Sequence, residues 1–333
     1  MLITHSQTEV NALEWNNFIC LHSSTPYPQS TFHGEYSMAC YGYTPVYVSI
    51  DIQGSLLRCL VLINEPAGTV KWSCGPVISG DCLHNPLLIK IFFDWLASLN
   101  LCIKKASFLA ENTFERLSTC NQIFDYAQTK SLRISLSTLL KKELTNDLWL
   151  DAVYHSGGKK RKIKHIVDRV KRDNVNVITC SGNTAIAREE MYRVHYLSAI
   201  NQGFERNRIY NQSAFNAVES IFSQDRAGIS RSFFTVIDDV LLSCLNIVVL
   251  GTECYLRKLA FNQHSHYRDP GSSYYAMMKA AEWAKSQGLV TFNLSIVRLS
   301  TDQKTSRLRQ YKSRFGKKIV PLYELSEIKN DQL

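Results

Sequence analysis

No two cysteines in this chain are spaced as Cys-x-x-Cys, although it holds 10 of them. That absence disfavours a zinc ribbon and a dithiol redox motif. The cysteines are scattered, and several, such as Cys59 and Cys244, sit among apolar neighbours. They read as reduced, buried thiols. No apolar run is long enough to span a bilayer, and no segment is low in complexity. Residues 1–24 are polar and mixed, without a positive start followed by an apolar stretch, so no secretory signal is expected and a cytoplasmic location is. Three nucleotide and hydrolase signatures are missing as well: Gly-x-Ser-x-Gly, a Walker loop, and a strand followed by Gly-x-Gly-x-x-Gly. Serine hydrolases, P-loop NTPases and dinucleotide oxidoreductases are therefore disfavoured. Acid is short relative to base: 29 Asp and Glu against 38 Lys and Arg, a formal net charge of +9. That balance favours a polyanionic partner, such as a nucleotide, a phosphorylated carrier, tRNA or a membrane headgroup.

What is present fits a folded α/β protein. The 333 residues are long for one core and comfortable for two, with 45% hydrophobic and 20% charged residues. Apolar spacing predicts helices over 9–21 and 32–41, the first facing inward through Val10, Leu13, Trp15, Phe18 and Leu21. Alternation predicts strands over 46–52, 56–63 and 69–74, the first two joined at Gln53-Gly54. Asn85-Pro86 opens a helix with Leu87, Leu88, Ile91, Phe92, Trp95 and Leu99 inward, and a strand follows over 105–110. The second half repeats this order. A strand over 175–179 precedes helices over 187–202 and 213–223, then strands over 233–237, 240–250 and 252–261. Ser272 or Ser273 caps a helix with Tyr274, Met277 or Met278, Ala281 and Ala284 on one face; Gly288 ends it and a strand follows from Val290 to Ile296. A duplication longer than a hundred residues points to two related α/β domains. The expected boundaries are 1–145, a basic junction helix over 146–174 beginning near Ser156, and 175–333.

Five short pieces, in order, carry a resemblance. They are Ser24-Thr25-Pro26 through Ser30; Gly75-Pro76-Val77; Leu148-Trp149 followed by Lys160-Arg161-Lys162-Ile163-Lys164; Asn201-Gln202-Gly203-Phe204 with Arg208 and Tyr210; and Tyr311-Lys312-Ser313-Arg314-Phe315-Gly316. Together they resemble the compact members of the FemABX family and related acyltransferases of polysaccharide gene clusters, which are built of tandem GNAT-like domains. The resemblance implies transfer of an acyl or aminoacyl group onto an amino group of a cell-envelope precursor. The acceptor it implies is an amino sugar on a carrier or a peptidoglycan stem lysine. The loop 264–271 departs from the glycine-rich pyrophosphate loop of GNAT enzymes, which leaves the donor open between acyl-CoA and aminoacyl-tRNA.

Transfer of this kind needs a neutral amine held against a carbonyl and stabilisation of charge on the carbonyl oxygen. By the resemblance, Lys312 supplies that stabilisation, with Tyr311 beside it. Arg208 and Tyr210 match a region that meets the phosphates of a nucleotide-linked acceptor. Arg268 is a candidate for donor phosphates, because the helix near Ser272 points its positive end that way. Lys160, Arg161 and Arg314 complete the basic candidates for donor or acceptor. His264, His266 and Asp269 lack a convincing third partner for a metal site, and none is expected. Partners expected on this reading are an anionic, carrier-linked acceptor and tRNA, with peripheral membrane association left open. A second reading makes the protein a non-catalytic binder of nucleic acid or an anionic polymer through the basic junction.

Overall fold

This computed structural model describes residues 1–79, 85–109, 117–144, 153–156, 159–162, 165, 168, 170, 172, 176–180, 192, 216, 218–221, 223–224, 227–237, 240–261, 271–298, 310–315 and 318–327. The chain divides into two units: residues 1–139, 296–300 and 320–333 form one, and 140–295 with 301–319 the other. The C-terminal strand thus belongs to the first unit. Among the described residues, no helix is long and apolar enough to cross a membrane.

In the first unit, α1 (Ala12–His22) starts where the Asn11 side chain accepts the Glu14 backbone N–H at 3.2 Å. Its inward face differs from the expected one. Trp15, Asn16 and Ile19 are buried, whereas Leu13 and Leu21 are exposed. The rotation follows from polar anchors. The Trp15 indole donates to the Gln29 carbonyl at 2.7 Å, and Asn16 exchanges two hydrogen bonds with Thr31, at 2.8 and 3.0 Å. Leaving those buried groups unpaired would cost more than exposing two leucines. Ser30 caps α2 (Thr31–Tyr41), which Gly42 ends at φ 65°. The strands β2 (Thr44–Ile52) and β3 (Ser55–Asn64) pair across Gln53 and Gly54, both at positive φ, the geometry of a tight hairpin. The edge strand β1 (Leu2–His5), which alternation did not reveal, pairs with β2.

The next strands, β4 (Thr69–Trp72) and β5 (Val77–Ser79), both pair with β3. Helix α3 (Asn85–Ser98) then crosses to β6 (Cys102–Leu109), which runs parallel to β4. Trp72 lies edge-on to Phe92 and Phe108, at centroid distances of 5.6 and 5.7 Å, in the centre of this core. Each fully buried ring of this size contributes about 2–3 kcal/mol by area removed from water. The helix is turned slightly from expectation: Ile89, Phe93 and Leu96 are buried and Leu87 is exposed. Two unexpected elements follow, α4 (Leu117–Thr129) and β7 (Leu132–Glu143); Tyr126 of α4 stacks on Phe93 at 4.2 Å. The last strand of the chain, β15 (Lys318–Glu327), pairs antiparallel with β6.

In the second unit the junction differs from the expected helix. The strands β8 (Val153–Ser156) and β9 (Lys159–Lys162) form a hairpin, and among the described residues of the junction His165, Asp168, Val170 and Arg172 are helical. The Gly157-Gly158 dipeptide between the strands is the hairpin signal that outweighs the run of helix-compatible lysines. Then come β10 (Asn176–Cys180), β11 (Ser230–Ile237), β12 (Val240–Leu250) and β13 (Glu253–Phe261), each antiparallel to the one before. Helix α5 (Gly271–Ser286) packs on β11 and β12 and leads to β14 (Thr291–Arg298), parallel to β13. Its inward face is the expected one, with Tyr274, Met277, Met278, Ala281 and Ala284 buried; Ser272 and Ser273 lie inside its first turn. Gly288 follows at φ 75°. Each unit therefore repeats one plan: an antiparallel meander, then a helical crossover to a parallel strand.

Candidate functional site

The tail that precedes β15 was expected to be a basic hairpin. Residues Gln310–Ser313 instead form a helical turn. The Phe315 N–H donates to the Lys312 carbonyl at 3.0 Å, the Arg314 N–H to the Tyr311 carbonyl at 3.3 Å, and the Ser313 hydroxyl to the Gln310 carbonyl at 3.0 Å. Helical spacing brings residues four apart onto one side. Tyr311 and Phe315 thereby both reach Tyr274 in the first turn of α5. Tyr274 stacks on Tyr311 with centroids 5.1 Å apart and planes 22° apart, and Phe315 lies 5.4 Å from Tyr274 and 5.5 Å from Tyr311. Arg314 closes the group by donating to the Tyr274 hydroxyl.

Lys312 lies on the turn that these three rings hold. The lysine is 8% exposed, and burial lowers the pKa of its amine from 10.5 to about 8. The cause is desolvation, which disfavours the charged form. At neutral pH roughly nine in ten such amines still carry a proton. A side chain of this kind can stabilise a developing oxyanion and can exchange a proton near physiological pH. The Tyr311 hydroxyl is also buried and lacks a well-directed hydrogen bond. Burial raises its pKa well above the phenol range; Ser273 moderates that rise, Tyr274 adds to it and Arg314 reduces it. Tyr311 is therefore a neutral packing and hydrogen-bonding group at any ordinary pH.

A polar seam crosses the parallel strands of the same unit. Lys141 and Glu253 form an ion pair at 2.9 Å, with side chains 5% and 6% exposed. The Asn293 amide donates to the other Glu253 oxygen at 3.0 Å and accepts the Ser295 N–H at 2.8 Å. Ser295 sits at φ 69°, and its hydroxyl lies 2.9 Å from that of Tyr255. Further along β13, Arg257 donates to the Asn246 side chain at 2.7 Å and to Gln224. Glu253 is thus committed to a cation and an amide rather than held ready as a base. Cys254 beside it is fully buried, and desolvation, then the Glu253 charge, push its thiol up, so it is no nucleophile.

Of the residues expected at the site, the structure brings Lys312, Tyr311 and Arg314 together against the first turn of α5, which also carries Ser272. Lys160 and Arg161 fall on β9, a strand. Arg208, Tyr210 and Arg268, with the loop 264–270, lie outside the described residues. Tyr274 was legible in the sequence only as a core residue. Its role as anchor of the tail required a contact between positions 40 apart. The Lys141–Glu253 pair carried no local signal, since its partners are far apart in the chain.

The fold is that of tandem GNAT proteins. The chain resembles FemX with a TM-score of 0.63 at 10% identity, over 96% of each chain. It resembles L-PGS from Bacillus licheniformis with a TM-score of 0.55 at 13% identity, over 97% of this chain and 93% of that one. A tandem GNAT protein from the clavulanic acid biosynthesis pathway matches at 0.53 and 10% identity, over 99% and 100%. No protein-family model matches the chain, and no curated protein does.

Proposed function

We propose that the protein is an acyltransferase that moves an acyl or aminoacyl group onto an amino group of a cell-envelope precursor, with acyl-CoA or aminoacyl-tRNA as donor. The observation that carries the reading is Lys312, a buried amine on the turn that Tyr311 and Phe315 pack against Tyr274 at the start of α5, in a tandem GNAT fold. The acceptor amine attacks the acyl carbonyl, and negative charge develops on its oxygen. Lys312, protonated at neutral pH, stabilises that oxygen in a water-poor setting, where one such interaction is worth about a hundredfold to a thousandfold in rate. The carbon–sulfur or ester bond to the donor then breaks as the oxygen returns its electrons. Arg314 and Tyr274 position the turn that carries Lys312, so they act through it. The amide product forms as the attacking amine loses its proton to solvent.

The test is the Lys312→Met protein, assayed for transfer to envelope precursors by mass spectrometry. Loss of about two or more orders of magnitude in kcat, with KM little changed, is expected. Full activity in a folded variant would refute the role. The donor is resolved separately: CoA raises the melting temperature if it binds, whereas tRNA binds with a steep dependence on salt. Tight polyanion binding without turnover would favour the non-catalytic reading.

A further inference from the structure

The first unit carries a cationic group that the acyl-transfer reading does not use. The strands β4 and β6 pair Val70 with Ile103, and then Lys71 with Lys105, so Lys104 is an extra residue on β6. Ile103 and Ala106 both lie in the core beneath α3. Strict alternation would send only one of the two residues between them to the opposite face. The bulge sends both, because an inserted residue re-aims the side chains beside it. Lys71 points the same way, since its neighbours Val70 and Trp72 are core residues. Its ammonium lies 3.7 Å from the Tyr43 ring centroid and 5.4 Å from that of Tyr41. Desolvation, then the charges of Lys104 and Lys105, lower its pKa to about 8. Among the described residues, the carboxylate in this group is Glu324, 2.6 Å from the Lys105 amine. One carboxylate is therefore set against three amines.

Like charges gathered on one face oppose folding unless something compensates them. Tyr43 and Tyr41 compensate part of the Lys71 charge through their ring faces. Lys104 is exposed and Tyr41 is 51% exposed, so the group is open to solvent. We infer that Lys71, Lys104 and Lys105, framed by Tyr41 and Tyr43, form a binding site for a phosphoryl anion. Lysine ammonium groups bind phosphate as point charges, and three converging amines suit a diphosphate better than a single carboxylate. The same chemistry is offered by a soluble diphosphate and by a phospholipid headgroup. This site shares no residue with the group around Lys312.

The test uses the full chain and inorganic pyrophosphate, titrated calorimetrically at pH 7, with sedimentation on phosphatidylglycerol or phosphatidylcholine vesicles as a second arm. Lys71→Gln and Lys104→Gln should each weaken pyrophosphate binding about tenfold, the loss expected for one charged contact. Lys90→Gln, an exposed residue of α3 paired with Asp94, should leave it unchanged. The ratio of wild-type to Lys71→Gln affinity, in which the titration of pyrophosphate itself cancels, should fall as pH rises from 7 to 9 through the Lys71 titration. The groups facing Lys71 are Tyr41, Tyr43, Lys104 and Lys105, with Glu324 behind Lys105; burial pushes the Tyr43 phenol up, out of that range. Should Lys71→Gln fail to fold, the exposed Lys104→Gln carries the test. Pyrophosphate binding without vesicle binding assigns the site to a soluble ligand, and binding only to anionic vesicles assigns it to a headgroup. Unchanged binding in both lysine variants overturns the site. So does a wild-type protein that takes up neither anionic vesicles nor pyrophosphate at up to about 10 mM.

Discussion

Replacing Lys312 by methionine should make the protein more stable at neutral pH while removing its activity. Burial lowers the pKa of the Lys312 amine from 10.5 to about 8. The folded state therefore binds fewer protons than the unfolded state between those two values. Stability rises with pH wherever the unfolded state holds more protons, so the cost of the buried charge is full below pH 8 and disappears toward pH 10.5. A shift of this size corresponds to about 3 kcal/mol at pH 7, and the residue is buried enough that little solvent screening applies. At pH 10 the same linkage leaves about 1 kcal/mol. Methionine fills a similar volume without a charge, so the variant should gain about 3 kcal/mol at pH 7 and lose about two-thirds of that advantage by pH 10. Denaturant unfolding of both proteins at the two pH values measures this directly, and their difference cancels every other titrating group. A lysine that served the fold would give the opposite sign. A variant less stable at pH 7, or an advantage that does not shrink by pH 10, would refute the reasoning.

Two further outcomes follow from the packing. Glu253→Gln leaves Lys141 buried without its counter-charge and should destabilise the protein by about 3–5 kcal/mol, with a double variant Lys141→Met/Glu253→Gln recovering most of the loss in thermal unfolding. Gly75→Ala brings a Cβ to 2.6 Å from the Gln29 carboxamide, which is held by the Ser73 carbonyl and the Leu60 N–H. It should cost about 1–3 kcal/mol in denaturant unfolding, and less when Gln29 is also shortened to alanine.

Much of the order of elements was readable, because strands such as β2 alternate in sequence and helices such as α2 and α5 are followed by Gly42 and Gly288 at positive φ. The same reasoning recovered the inward face of α5, where small and apolar residues fall at helical spacing. It misjudged α1, because counting apolar residues cannot see that Trp15 and Asn16 carry polar atoms with buried partners. It missed the β8–β9 hairpin, whose strands are only four residues long, the second all lysine and arginine without apolar alternation. The tail was recognisable as a motif, yet its helical turn depends on Tyr274, and no local pattern announces a contact 40 residues away. Lys71 gave no signal at all: its position depends on a bulge in β6, where two consecutive lysines look like any solvated strand end.

The buried and half-buried lysines are of two kinds. Lys141 has a carboxylate at 2.9 Å, and an amide holds that carboxylate in turn. Its charge is balanced where it stands, and removing one partner would be felt by the fold. Lys312 and Lys71 are different, because their surroundings push the amine toward neutrality, to about 8 in both cases. A position that disfavours its own charge is a poor structural choice, and an apolar residue would stabilise the protein more. Such amines persist where a protein needs a proton to come and go, or a cation waiting for an anion. The two sites also differ in access: Lys312 is buried, which suits charge that appears only during a reaction, whereas Lys71 lies near exposed Lys104 and Tyr41, which suits an anion arriving from solvent. The comparison makes one joint expectation. Neutralising Lys312 should act on kcat and neutralising Lys71 on binding, and a double variant should show the two effects multiplied, as independent sites require.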